Sequence, residues 1–335
     1  MARKKPWKPA GDKSEIVAAI PAACSDETLA VEFMERQRWG ESPACPRCGD
    51  MDVFKVTDRK TGKRSRRFLW DCRGCRRQFT VRIGTILEDS RVPLRHWCYA
   101  FWAACASKKG VSALQIKRMT GLSYKSALFL MHRIRWAMAE TPDGPLGGIV
   151  EADETYVGGR PRAKELRQRG ENWKVYKRGR AADFKDRKTP VVALVERGGR
   201  VRTFVPTDVT AENLAAILTA NVRRSAYLMT DELNPYRKIG QHFRRHDTVT
   251  HSRHEYGRGI VSTNAVEGFF SLLKRGINGT FHHVSRKHLH RYCSEFAFRY
   301  NTRFLEDGER TVHAIRSAIG KRLMVGYRQP RAAAE

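Results

Sequence analysis

Three acidic residues and four cysteines have the types and settings to carry chemistry in this 335-residue chain. In the strand-like run 148–157, period-two alternation places Glu151, Asp153 and Thr155 on one face and Ala152 and Glu154 on the other. Asp231 ends the apolar run 226–230, and Glu267 lies on a helical stretch opposite Phe269 and Phe270, with Asn264, Ser271 and Lys274 at helical spacing beside it. Carboxylates gathered without a cation repel and raise each other's pKa. Divalent cations with oxygen ligands, Mg²⁺ or Mn²⁺, resolve that conflict. Two ions about 3.5–4 Å apart activate an attacking oxygen and stabilise a leaving one in phosphoryl transfer. The candidate ligands are Asp153, Asp231 and Glu267. Glu151 or Glu154 are alternatives to Asp153, Glu232 to Asp231, and Asn264 is an oxygen donor beside or instead of Glu267.

The cysteines form two short motifs, Cys45-Pro46-Arg47-Cys48 and Cys72-Arg73-Gly74-Cys75, 23 residues apart. Two such turns close four thiolates tetrahedrally on Zn²⁺, which stabilises a segment with too few large apolar residues to fold by itself. A site filled by four sulfurs is structural. The segment between the motifs carries Arg64, Arg66 and Arg67, so the ribbon is expected to touch phosphates as well. The other cysteines, 24, 98, 105 and 293, read as buried hydrophobes, and no disulfide framework is expected.

The elements that must position these groups fall into five segments: a basic tail and helix (1–40), a zinc ribbon (41–82), a helical stretch (93–140), an alternating strand and helix region (146–305), and a C-terminal helix with a basic tail (306–335). In the first, Leu29, Phe33 and Met34 recur at helical spacing, and Asp26 is the expected N-cap. In the third, a helix at 111–119, a turn at Gly121, an N-cap Ser123 and a second helix from Tyr124 give the helix-turn-helix pattern. Its second helix, with Lys125, His132, Arg133 and Arg135, would enter the major groove.

The fourth segment reads strand (148–157), hairpin (189–196 with 201–205), helix (210–222), strand (226–230), short helix (234–240), strand (246–250) and helix (264–277). That order predicts an α/β, ribonuclease H-like domain: a mixed five-stranded sheet flanked by helices, with its first and fourth strands adjacent. Adjacency brings Asp153 to Asp231, and the last helix supplies the third acid.

Composition agrees with a polyanion partner. Lys and Arg number 64 against 35 Asp and Glu, a formal net charge of +29. Basic residues cluster, with ten against two acidic ones in 55–77 and twelve against four in 160–188. The histidines at 282, 283, 288 and 290 lack ligand partners in sequence and read as phosphate contacts or packing. The longest apolar run, 97–106, is far short of the ~20 residues of a membrane span. Without a secretory signal the expected location is cytoplasmic, on the nucleoid when DNA is bound.

Taken together the motifs resemble bacterial insertion-sequence transposases of the DDE type, in the subgroup with an N-terminal zinc ribbon. The resemblance is carried by Cys45-Pro46-Arg47-Cys48-Gly49, by Val150-Glu151-Ala152-Asp153-Glu154-Thr155-Tyr156-Val157-Gly158-Gly159 and by Thr230-Asp231-Glu232. It continues through His251-Ser252, Glu255-Tyr256 and Gly259 to Thr263-Asn264-Ala265-Val266-Glu267-Gly268-Phe269-Phe270-Ser271-Leu272-Leu273-Lys274-Arg275-Gly276. It implies binding of terminal inverted repeats and Mg²⁺- or Mn²⁺-dependent strand cleavage and strand transfer on double-stranded element ends and target DNA. It also implies a homo-oligomer on DNA. By position it makes Asp153, Asp231 and Glu267 the metal ligands, and Lys274, beside Arg275, a DNA contact. Two other functions use the same parts: a DNA-binding regulator or domesticated transposase that does not cut, and a nuclease that cuts without joining.

Overall fold

The computed structural model describes residues 13–158, 188–253, 255 and 257–324. The basic stretch 160–188 and the residues His254 and Tyr256 fall almost wholly outside them, with Lys188 alone described. The chain divides into two compact units, residues 1–140 with 302–335, and residues 141–301. Among the described residues no helix is long and apolar enough to cross a membrane.

The first unit opens with α1 (Lys13–Ser25) and α2 (Glu27–Trp39). Asp26 caps α2, its carboxylate accepting from the Leu29 N–H at 2.9 Å. The buried stripe is Ala30, Val31, Phe33 and Met34, whereas Leu29 is exposed at the first turn. A three-stranded antiparallel ribbon follows, β1 (Val53–Lys55), β2 (Trp70–Cys72) and β3 (Gln78–Phe79). Next comes α3 (Leu94–Ala106), preceded by Pro93, which has no capping side chain. Glu27 of α2 supplies the cap instead, accepting from the N–H groups of Leu94 and Arg95 at 2.7 and 3.1 Å.

The stretch expected to form a helix-turn-helix holds α4 (Ala113–Thr120) and α5 (Tyr124–Met138). Gly121 ends α4 at φ 72°, a left-handed turn that glycine adopts without steric cost. Ser112 and Ser123 cap the two helices through Gln115 and Ser126. The C-terminal segment, expected from sequence as a helix with a basic tail (306–335), adds a helix to this unit. Here α10 (Asp307–Arg316) packs on α3, with Arg310 donating to the Cys105 carbonyl at 2.9 Å.

The second unit is built on a five-stranded sheet of β4 (Ile149–Val157), β5 (Thr189–Glu196), β6 (Val201–Phe204), β7 (Tyr227–Thr230) and β8 (Arg245–Thr248). The spatial order is β6-β5-β4-β7-β8. β4 pairs antiparallel with β5 and parallel with β7, with Val150 opposite Leu228 and Glu151 opposite Met229. This mixed, helix-flanked sheet is the ribonuclease H-like arrangement, with the first and fourth strands side by side.

The two faces bury different helices. Val191, Ala193 and Val195 pack against Val266, Phe269 and Leu273 of α8 (Asn264–Gly276) and Phe296 of α9 (Leu289–Asn301). Val150, Ala152, Val192 and Leu194 pack against Leu214 and Leu218 of α6 (Ala211–Asn221) and Tyr236 and Ile239 of α7 (Asn234–Gly240). A short hairpin, β9 (Gly257–Arg258) and β10 (Val261–Ser262), leads directly into α8.

Candidate active site and metal centres

Asp153 lies near the middle of β4, and Asp231 lies just past the end of the neighbouring β7. Carboxylate oxygens of Asp153, Glu154 and Asp231 all lie within 4.8 Å of one another. The parallel pairing of β4 with β7 makes this possible, since it delivers the two strands to the same end of the sheet. Asp153 also accepts from the Glu154 N–H at 2.7 Å, and Asp231 from the Leu233 N–H at 3.1 Å. Glu154 leans toward the α7 side, where the buried Tyr236 hydroxyl donates to its Oε2 at 3.0 Å. Period-two alternation separates Glu154 from Asp153, and the structure brings their carboxylates together where the strand leaves its β7 partner.

The electrostatics register this crowding. Burial first, then the charges of Glu154 and Asp231, push the Asp153 carboxyl up to about 7. Asp231 is also raised, chiefly by burial. Such a group resists ionisation unless a cation joins it, and the hard oxygen donors suit Mg²⁺ or Mn²⁺. The donor set therefore fits a divalent ion.

Glu267 faces the same cleft from α8 but stands outside the tight trio. Its Oε1 accepts from Thr263 Oγ1 at 2.7 Å and lies 3.4 Å from His251 Nε2. The cleft, about 710 Å³, is lined by Asp153, Glu154, Glu267, Ser271, Lys274 and Arg275, among others. Glu267, Ser271 and Lys274 thus form one helical edge of it, as their spacing predicts. Asn264 is exposed at the start of α8 and does not line the cleft.

Two of the alternatives have other work. Glu232 accepts from the backbone N–H and hydroxyl of Ser252. Glu151 is 1% exposed and is bound to Arg197 and to the first turn of α8. The sequence offers Glu151 only as a substitute for Asp153, and its anchoring role lies beyond that pattern. Its one legible signal was a charged residue on the same strand face as Asp153.

In the ribbon, the Sγ atoms of Cys45, Cys48, Cys72 and Cys75 also lie within 4.8 Å of one another. Cys45 to Cys75 is 3.7 Å and Cys48 to Cys72 is 3.6 Å. A tetrahedron with Zn–S bonds of about 2.3 Å has sulfur edges of about 3.8 Å, so the four thiols fit Zn²⁺. Around them Trp70 and Phe79 are buried with Trp39 against both rings.

The basic residues divide sharply. Arg66, Arg67 and Lys125 are exposed, as is the pair Lys274 and Arg275. Arg64 is not available to phosphate: its guanidinium closes on Glu35, whose carboxylate also accepts from Trp70 Nε1 at 2.7 Å. The expectation that Arg133 and Arg135 read DNA is corrected. Both are buried, and Arg133 donates to the carbonyls of Leu323, Ile86 and Glu88. Helical spacing turns these two side chains inward, so only the N-terminal end of α5 presents a cation. Among the described residues no metal-ligating cluster forms around His282, His283, His288 or His290.

Comparison with known proteins gives concordant matches. Residues 145–301 match the ISXO2-like transposase domain, and residues 25–78 match a transposase zinc-ribbon domain. A protein in transposable element ISH50 of Halobacterium salinarum is 29% identical over 280 residues, covering 82% of this chain and 90% of that relative. No solved structure matches the chain. The sheet, the four-cysteine ribbon and both domain matches lead to one assignment: the chain belongs to the insertion-sequence transposases that carry an N-terminal zinc ribbon.

Proposed function

We propose that this transposase binds the terminal inverted repeats of its element, cleaves the DNA there and joins the freed 3′-hydroxyl to target DNA. The observation that carries the reading is the meeting of Asp153, Glu154 and Asp231, the first two of which line a cleft that Glu267 and Lys274 also line. Asp153 and Asp231 are the central ligands of divalent cations, Mg²⁺ or Mn²⁺, with Glu267 joining from α8. When bound, such ions supply charge neutralisation at the scissile phosphate and an activated oxygen nucleophile.

The chain's own groups do the remaining work. Lys274 and Arg275, exposed on the cleft edge, hold the DNA backbone in register with the acids. The Thr263 hydroxyl fixes the Glu267 carboxylate at the helix start. The ribbon, with Zn²⁺ on Cys45, Cys48, Cys72 and Cys75, and the exposed Arg66, Arg67 and Lys125 take hold of the element end. A pair of ends requires two cutting centres, so the active form is a homo-oligomer on DNA, acting in the cytoplasm on the nucleoid.

Oligonucleotides carrying the element's own terminal repeats test the reading. Asp153→Ala, Asp231→Ala and Glu267→Ala should each abolish cleavage while end binding persists. Cleavage without joining would make the protein a nuclease, and end binding without either would make it a regulator.

A further inference from the structure

We propose that Glu151, together with Arg197, is the positioning device that seats the helix carrying Glu267 against the strand carrying Asp153. The inference rests on the reading of that cleft as the cutting centre and names how its two halves are held in register.

The Glu151 carboxylate is buried and fully engaged. Its Oε2 accepts from the N–H groups of Ala265 and Val266 at 2.8 and 3.1 Å, the second and third residues of α8. Its Oε1 accepts from Arg197 Nε at 2.6 Å. Helix starts expose backbone donors that a nearby Ser, Thr, Asp or Asn ordinarily satisfies. Thr263, in that place, makes no capping bond and donates its hydroxyl to Glu267 instead. A carboxylate from a different element, 114 residues away in sequence, does the capping.

Arg197 extends the anchor in two further directions. From the β5–β6 turn its Nη groups donate to the carbonyls of Ile260 and Ser262 and to the Ser262 hydroxyl. Its own backbone N–H donates to the Ile149 carbonyl at 2.9 Å. One ion pair therefore ties β4, the β5–β6 turn, the β9–β10 hairpin and the first turn of α8 together.

The placement ties this anchor to the chemistry. Residues two apart on a strand share a face and stand about 6.6 Å apart. Any shift of the α8 start relative to Glu151 is thus passed directly to the distance between Asp153 and Glu267. An anchor serving stability alone has no reason to sit on that strand face, two residues from a ligand.

The test uses the full chain with Glu151→Gln and Arg197→Lys, which keep size and most packing. Glu295→Gln is the control: it weakens another pair with a buried carboxylate, Glu295–Arg299 at 2.7 Å, outside the cleft. Four quantities are read: single-turnover cleavage at saturating DNA and Mn²⁺, DNA affinity, Mn²⁺ affinity of the DNA-free protein by electron paramagnetic resonance, and amide exchange.

Both anchor variants should cleave about 10- to 100-fold more slowly and bind Mn²⁺ about 10-fold more weakly, with DNA affinity unchanged. The amides of residues 265 and 266 should exchange faster while those of the sheet do not. Glu295→Gln should lower thermal stability without these changes. Wild-type cleavage and Mn²⁺ affinity in Glu151→Gln would overturn the proposal, as would a control that reproduces the full pattern. If the wild-type chain neither cuts DNA nor binds Mn²⁺ through Asp153, it is the reading of the cleft that fails, while amide exchange still reports whether Glu151 seats the helix.

Discussion

The hydroxyl of Tyr236, wholly buried beneath the sheet, donates to the Glu154 carboxylate 82 residues earlier in the chain. Glu154 is thereby held in the group that it forms with Asp153 and Asp231. A hydrogen bond to an ionised group contributes about 1.5–3 kcal/mol. Tyr236→Phe should therefore lower stability by about that amount and free Glu154 to rotate. Cleavage should slow roughly tenfold, far less than in Asp153→Ala, with DNA affinity intact. Thermal melts and single-turnover cleavage on one preparation check this, and an unchanged rate would remove Glu154 from the working site.

The raised carboxyl of Asp153 gives a pH dependence whose sign is fixed. In the metal-free fold it titrates near 7, against about 3.9 in an unfolded chain. Between those values the folded state holds the extra proton, so this group's contribution to stability falls as pH rises from about 4 to 7 and is level above. In chelator, Asp153→Asn should remove that slope and be more stable than wild type at pH 8, by on the order of a few kcal/mol. Adding Mg²⁺ or Mn²⁺ should restore the wild-type protein selectively. Denaturant melts of both proteins at pH 5 and pH 8, with and without Mn²⁺, read the difference.

Period and spacing made the sheet of the second unit legible. The alternation in 149–157, the hairpin across Arg197 to Arg200 and the helix with Phe269 and Phe270 inward are all local patterns, and each forms an element with nearly the expected limits. The cysteine pairs were legible for the same reason, because their spacing is itself the chemistry. The return of α10 to the first unit was not legible, since a helix's tertiary partner leaves no trace in its own periodicity. Glu154 was legible only as an alternative to Asp153, because period-two alternation assigns the two to opposite faces of β4 and so does not foresee that their carboxylates meet. Arg133 and Arg135 misled for a related reason. A cation on a candidate recognition helix looks like a DNA contact until the carbonyls of Leu323, Ile86 and Glu88 claim it.

That correction separates two cations on one helix. Lys125 is exposed at the start of α5, so Lys125→Ala should weaken end binding and reduce the slope of log affinity against log salt by about one. Arg133→Ala leaves three carbonyls without their buried donor and should lower stability by several kcal/mol. Its salt slope, measured where the protein remains folded, should match wild type. Fluorescence anisotropy across a salt series distinguishes the two, and a reduced slope in Arg133→Ala would return that residue to the DNA surface.

The two zinc knuckles share a turn whose fifth residue must adopt a left-handed conformation. The carbonyl of the first cysteine accepts from that residue's N–H in both, Gly49 to Cys45 and Arg76 to Cys72, each at 2.9 Å. Gly49 takes φ 80° freely, but Arg76 stands at φ 53°, which costs an L-residue about 1–2 kcal/mol. Relief of strain in Arg76→Gly is partly offset by the greater freedom glycine gives the unfolded chain, about 0.5–1 kcal/mol. The net expectation is a ribbon that holds Zn²⁺ slightly more tightly, whereas Gly49→Ala should release it more readily. Chelator titrations followed by a zinc-sensitive dye give both midpoints, and wild-type protein should yield one Zn²⁺ per chain. Cys72→Ser should lose the metal and the ribbon's DNA contact while the sheet of residues 141–301 still melts as a folded unit. Opposite shifts at Gly49 and Arg76 would establish that the knuckle backbone, and not only its thiols, sets how firmly the metal is held.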